Sequence, residues 1–339
     1  MNHIVGQKGA LKTLRSSLAS DRLHHAWVFA GPRGVGKCTT ALGFGAEILG
    51  ATVAGNNPDL HLICKEDVVW AQNPALQKRK QTNIPIDLLR ERMIGGKTSD
   101  GKSHDSVAFK TPRFGNKKVF IVDEAELLDE AGQNALLKTL EEPPAGTIII
   151  LVTSREDVLL QTILSRCQQV SFSPLSKLDM EQWAEQSSFD FNNDLSWALA
   201  CSSGSPGVAC DIFDTKLGEL RENISAFLLL QTGYDYVVAT QHIIQFIDSC
   251  VLYWTKQNSN TSKESANRRA FVLVLLMFSL SARLGIRGVG GSEGECNIGV
   301  LASDILVDTE AQLVSNVSIK VLVESLAARW GNLSAGKFV

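Results

Sequence analysis

The chain has 339 residues, 44% hydrophobic and 20% charged, the balance of an ordered globular protein long enough for two or three domains. Its formal net charge of −3 excludes a basic coat for nucleic acid over the whole surface. Neither the N-terminal Met1-Asn2-His3-Ile4-Val5-Gly6 nor the longest apolar run, Ala270 to Leu280, has the pattern of a signal peptide or the length of a membrane span. The expectation is a soluble, cytoplasmic protein with no membrane partner.

In chain order, the first 175 residues alternate helical patterns with short apolar runs. Val28-Phe29-Ala30, Leu60 to Ile63, Val119 to Val122, Ile148 to Val152 and Val170-Ser171-Phe172 are the strand candidates. Their hydrophobicity is continuous rather than alternating, which predicts strands covered on both faces, hence a parallel α/β sheet. Beyond Pro174, Leu175 to Asp211 reads as short helices broken at Asn192-Asn193 and at Gly204-Ser205-Pro206-Gly207. From about Lys216 the patterns are longer and helical, interrupted by the polar stretch Thr255 to Arg268 and the glycine-rich stretch Gly285 to Gly294. The latter has the wrong glycine spacing for a dinucleotide fingerprint and no strand before it, so it reads as a connection. Three domains are expected: 1–174, 175–213 and 214–339.

Residues 78–118 hold 11 Lys or Arg against 4 Asp or Glu, a local +7 that leaves −10 for the rest. That asymmetry reads either as a solvated insertion or as a DNA- or partner-facing one. Seven cysteines, at 38, 64, 167, 201, 210, 250 and 296, include no C-x-x-C pair and no histidine at zinc-finger spacing. Neither a disulfide framework nor a structural zinc site is expected from them.

Gly31-Pro32-Arg33-Gly34-Val35-Gly36-Lys37 fits G-x-x-x-x-G-K between a predicted strand and a predicted helix. Glycines let the backbone fold round phosphate oxygens, so that N–H groups and the helix N-terminus point at the anion, and Lys37 would reach the outer phosphates. Gly31, Gly34, Gly36, Lys37, Cys38, Thr39 and Asp123 form the expected nucleotide-binding set. At Cys38 the pattern wants a hydroxyl, because Mg²⁺ is a hard cation that prefers oxygen, and a thiol is a poor match. Thr39 lies about 100° further round the helix and cannot simply replace it. The loop is thus expected to hold ATP or ADP while holding Mg²⁺ weakly or not at all. The strand Val119 to Val122 delivers Asp123 and Glu124 at its C-terminal end, Asp123 to reach Mg²⁺ through water and Glu124 to polarise an attacking water.

Gln133 to Pro144 reads by periodicity as an amphipathic helix stopped by two prolines. Its literal sequence, QNALLKTLEEPP, resembles the clamp-loader branch of the AAA+ ATPases. Ile4-Val5-Gly6-Gln7 is similar to that family's adenine-side box, and His24-His25-Ala26-Trp27 and Asn57-Pro58-Asp59-Leu60 are also similar to it. Thr153 stands at its sensor-1 position and Ser165-Arg166-Cys167 matches its S-R-C motif. The resemblance covers roughly residues 1–215. It implies an α/β P-loop AAA+ domain followed by a small helical lid and an all-α C-terminal collar.

It also implies that Arg166 projects into a neighbouring subunit's nucleotide site, and that the partners are motor (gamma/tau) and delta subunits, with the sliding clamp and primed DNA met through the assembly. Many relatives carry a four-cysteine zinc module before the position of Asn57; here that interval has no cysteine after Cys38, so zinc is not expected. Two subunit types fit the resemblance, an ATP-hydrolysing gamma/tau-type motor and a delta-prime type. Cys38, and Val208 where a sensor-2 arginine would stand, favour the second, with its own ATPase weak or absent and Arg166 acting in trans.

Overall fold

The computed structural model describes residues 4–20, 23–50, 57–187, 195–231, 234–288, 293–315 and 317–334. They fall into two compact units, Met1–Ser188 with Gly204–Gly207, and Phe189–Ser203 with Val208–Val339. The 175–213 stretch, expected as a lid of its own, is divided by this packing: the helix Lys177–Gln186 belongs to the first unit and the helix Leu195–Ser202 to the second. Asn192-Asn193 lies outside the described residues.

The first unit is built on a five-stranded parallel sheet. β1 (Ala26–Ala30), β2 (Leu60–Ile63), β5 (Lys118–Val122), β6 (Thr147–Thr153) and β7 (Gln168–Ser171) stand in the order β2-β5-β6-β1-β7. These are the five predicted strands. β1, β5 and β6 are buried at every position. Alternate residues feed opposite faces: Trp27, Phe29, Ile121 and Ile150 pack with α1 (Lys8–Ala19) and α2 (Lys37–Ile48), while Val28, Phe120, Val122 and Leu151 pack with the helix Glu130–Glu141. Continuous hydrophobicity is therefore two period-2 faces read together.

The basic 78–118 stretch is not merely a solvated insertion. Ile84, Leu88, Leu89, Met93 and Ala108 enter the sheet's core, and the antiparallel pair β3 (Gly96–Lys97) and β4 (Ser103–His104) closes its tip. Charge counting missed this because the apolar residues are scattered among the cations. Asp59, 1% exposed, accepts the backbone N–H groups of Arg113 and Phe114 at 2.8 and 2.6 Å, which explains the Asn57-Pro58-Asp59 run as the anchor of a distant loop.

The second unit is helical throughout its described residues, with its core running through Tyr236–Gln257, Lys263–Gly288, Glu293–Val314 and Ile319–Ser334. The polar stretch expected at Thr255 to Arg268 is mostly helical; the break is confined to the residues between Gln257 and Lys263. Arg269 explains why a charged segment stays helical, since it grips the buried Asp211 with Nε and Nη2 and lies 4.4 Å over the Trp254 ring. Gly285 to Gly288 ends a helix rather than starting a loop, and residues 289–292 lie outside the described ones. By length and composition the helical segment Lys263–Leu284 is long and apolar enough to cross a membrane, although the run Ala270 to Leu280 alone is not. Ala270, Phe271, Val274, Met277 and Phe278 spend that apolar surface on the bundle core.

Asp59→Ala would strand two part-buried N–H groups and release the loop they belong to. A loss of about 2–4 kcal/mol of stability is expected in urea unfolding, from charge-assisted hydrogen bonds whose donors go unsatisfied.

Candidate functional site

The parallel register brings the C-terminal ends of β1, β5 and β6 together, and the first turn of α2 begins where the loop after β1 ends. Gly31 N–H donates to the carbonyl of Thr153 at 3.3 Å, tying the start of the loop to the end of β6. A Cβ on Gly31 would meet the Phe172 carbonyl oxygen at 2.1 Å, so only glycine lets the loop pass there. Gly36 is the N-cap of α2, and Thr40 Oγ1 donates back to its carbonyl at 2.8 Å.

Lys37 is 6% exposed, and its Nζ donates to the carbonyls of Gly31 and Pro32, both at 2.6 Å. Burial lowers its pKa below the ordinary lysine value, while Glu126 and Asp123 pull the other way. The ammonium thus closes the loop on itself, and a phosphate would have to take over from the two carbonyls as acceptor. Two further carbonyls of the loop are engaged by the turn Gly204–Gly207: Ser205 Oγ donates to Arg33 O and Gly207 N–H to Gly34 O, both at 2.9 Å. A Cβ on Gly207 would stand 3.0 Å from Gly34 Cα, so glycine permits that close approach.

At the position expected to hold Mg²⁺, the buried Cys38 thiol lies in the electrostatic neighbourhood of the Asp123 carboxylate. Burial, with Asp123 beside it, pushes the thiol far above its ordinary pKa, so it is a neutral donor rather than a thiolate. Burial also raises Asp123 above the carboxylate range, with Glu124 and Glu126 adding repulsion and the thiol opposing it. Thr39 is exposed on the next step of the helix. The loop amides and Lys37 suit a phosphate; a buried neutral thiol in place of a hydroxyl does not suit a hard cation. Among the described residues, no group of three or more His, Cys, Asp or Glu side chains could hold a metal ion.

Glu124 sits at the end of β5 with φ 49°, a left-handed conformation unusual outside glycine. Asp123 Oδ1 accepts its N–H at 3.0 Å, and its carboxylate pairs with Lys65 Nζ at 2.6 Å. The expected water-polarising carboxylate is therefore neutralised by a neighbour. Sequence reasoning missed Lys65, although register could have found it: Ile63 faces Val122, so Lys65, two residues on, comes beside Glu124. Thr153 is fully buried, and its Oγ1 accepts from Arg155 N–H at 3.0 Å. Glu126, also missed, accepts from the hydroxyl and N–H of Ser154.

Arg166 lies apart from this cluster and is half-exposed. Its Nη1 donates to Thr162 O at 2.8 Å and its Nη2 pairs with Glu141 Oε1 at 2.8 Å. Glu141 ends the helix Glu130–Glu141, whose N-cap Asp129 accepts from Gly132 N–H at 2.7 Å. Val208, in the expected sensor-2 position, packs against the helical core of the second unit.

Asp123→Asn keeps a side-chain acceptor for the Glu124 N–H and removes a buried charge. Because the folded-state pKa of Asp123 lies above its ordinary value, the wild type loses stability as pH rises from that ordinary value through the raised one. The variant is expected to melt above the wild type at pH 7, the gap closing toward the carboxylate range in thermal melts along a pH series.

The family described as DNA polymerase III, delta subunit matches residues 6–176. Subunit tau of DNA polymerase III from Bacillus subtilis (strain 168) is 32% identical over 174 residues, 51% of this chain and 29% of that protein. Subunit delta' from the same organism is 32% identical over 190 residues, 52% of this chain and 50% of that protein. Subunit tau/gamma from Haemophilus influenzae is 32% identical over 184 residues, covering 53% and 24%. The match spans half or less of each of these relatives' length. A solved DNA polymerase III gamma subunit-related protein from Thermotoga maritima aligns over 96% of this chain and 99% of its own, with 18% identity and a TM-score of 0.47. The phosphate loop, the parallel sheet that presents it and the match over residues 6–176 together place the chain in the DNA polymerase III delta-subunit family, as a clamp-loader subunit of the AAA+ type.

Proposed function

We propose that this chain is the delta-prime-type subunit of its clamp loader, one that completes a neighbour's ATP site while its own site turns over little or no ATP. The observation that carries the reading is Cys38 itself, a buried neutral thiol at the helix position where the metal wants an oxygen, beside Asp123. Lys65 on Glu124 works in the same direction, since a carboxylate already paired at 2.6 Å is a poor base for water. ATP or ADP is held by the loop amides and Lys37 as a structural ligand, with Thr153 and Gly31 fixing the loop beneath it. No zinc takes part.

Arg166 is the group offered outward. Anchored through Thr162 O, its guanidinium exchanges Glu141 for the phosphates of a neighbouring subunit and stabilises the charge that develops during transfer. Residues 214–339 act as the helical collar through which the cytoplasmic assembly forms, with motor (gamma/tau) and delta subunits as partners. The assembly opens the sliding clamp and loads it on primed DNA.

The competing reading, an active gamma/tau-type motor, is favoured by the intact Gly31 to Lys37 loop. Clamp- and DNA-stimulated ATPase of the reconstituted complex separates the two. Arg166→Ala is expected to remove most of the turnover at the neighbouring site, since a trans arginine is worth about 10³–10⁵ there. Lys37→Ala is expected to leave turnover about unchanged; a loss with Lys37→Ala instead would make the chain a motor. In a second measurement, binding of a fluorescent ADP to the wild type is expected to be indifferent to Mg²⁺, whereas Cys38→Thr supplies an oxygen ligand and makes binding tighter with Mg²⁺ than with chelator.

A further inference from the structure

Residues 105–117 lie outside the phosphate site, yet their backbone is held by three buried polar groups. Asp59 accepts from Arg113 and Phe114. Lys118, 3% exposed, donates from Nζ to the carbonyls of Val107 and Lys110, both at 2.7 Å. Thr147, also buried, donates from its hydroxyl to Ala108 O at 3.2 Å. Withdrawing an ammonium and a carboxylate from water is costly unless each is well bonded, and here both bond to loop backbone. The loop they fix nevertheless leaves two aromatic rings in solvent, Phe109 at 61% and Phe114 at 67% exposure.

In sequence, Lys110 and Arg113 fall between the two rings and Lys117 follows them. Among the described residues, Arg113, Lys117 and Arg92 pair with no carboxylate, and Lys110 meets only the exposed Asp105 at 3.4 Å, a contact of little worth. The positive charge converges at the sheet edge. His61 on β2 is held below its ordinary pKa by burial and by Lys118, Arg113 and Arg92 around it. With −10 on the remainder of the chain, this is where a polyanion can approach.

We propose that the loop 105–117 is a docking surface for single-stranded nucleic acid, with phosphates along Arg92, Lys110, Arg113 and Lys117 and bases stacked on Phe109 and Phe114. Each nucleotide of a single strand brings one phosphate and one flat ring, matching a surface on which cations alternate with phenyl groups. In a duplex the ring faces are already stacked on one another, and an acidic peptide would satisfy the cations but leave the rings in water. The surface is separate from the phosphate loop and from Arg166, so its test does not depend on which subunit type the chain is.

The test is fluorescence anisotropy of a labelled 20-nucleotide oligo-dT with the full chain, without nucleotide, across a salt series. Four phosphate contacts predict a log–log salt slope of about −3, and Lys110→Glu with Arg113→Glu should flatten it by about 1.4. Phe109→Ala and Phe114→Ala, at exposed positions that leave the core intact, should each weaken binding by about tenfold. Equal binding of a duplex of the same length would overturn the proposal. So would alanine variants that bind like the wild type, or a poly-glutamate peptide that displaces the oligonucleotide equally well from both.

Discussion

The parallel register of β2, β5, β6 and β1 is the constraint on which the site depends. Because Ile63 faces Val122 and Ala30 faces Thr153, the chain leaves four strands at nearly the same level. Lys65, the pair Asp123 and Glu124, Thr153 and the phosphate loop are then neighbours without any long side chain having to reach. The register in turn rests on β1, β5 and β6 being buried on both faces, since a slip of one residue would exchange the residues facing α2 for those facing the helix Glu130–Glu141.

Within that frame the site is an arrangement of charges that satisfy one another. Three carboxylates, Asp123, Glu124 and Glu126, crowd the end of β5: Asp123 accepts from the Glu124 N–H, Glu124 pairs with the Lys65 ammonium, and Glu126 accepts from Ser154 through one oxygen while its other is buried without a partner among the described residues. Lys37 is satisfied by loop carbonyls and Arg33 and Gly34 by the Gly204–Gly207 turn.

Much of this could be read from the chain before folding, for identifiable reasons. The three central strands β1, β5 and β6 contain runs of contiguous apolar residues, and the phosphate loop follows from glycine spacing beside one of them. Cys38 was readable as an anomaly because hard-cation chemistry names the atom that should be there. Lys65 and Glu141 were not readable one by one, since a lone charged residue has meaning only once register or a helix end gives it a partner. The buried half of the 78–118 stretch was hidden for a related reason: Leu88, Leu89 and Met93 sit among cations whose heads reach water while the backbone beneath is core. In the helical third, periodicity gave helices, but not the contact between Arg269 and Asp211, 58 residues apart and joined only by folding.

The pair between Arg166 and Glu141 has a consequence for the helix that Glu141 ends. Glu141 and Glu142 place two negative charges at a helix C-terminus, where the peptide dipoles already concentrate partial negative charge. In the resting chain the guanidinium offsets that field. Any contact that drew the guanidinium off Glu141 would leave the helix end with an acidic pair against its own dipole, at a cost of about 0.3–1 kcal/mol per charge. The side-chain position of Arg166 and the fraying of the last turn of Glu130–Glu141 are therefore coupled, and a competing anion has to outcompete a helix terminus for the same cation.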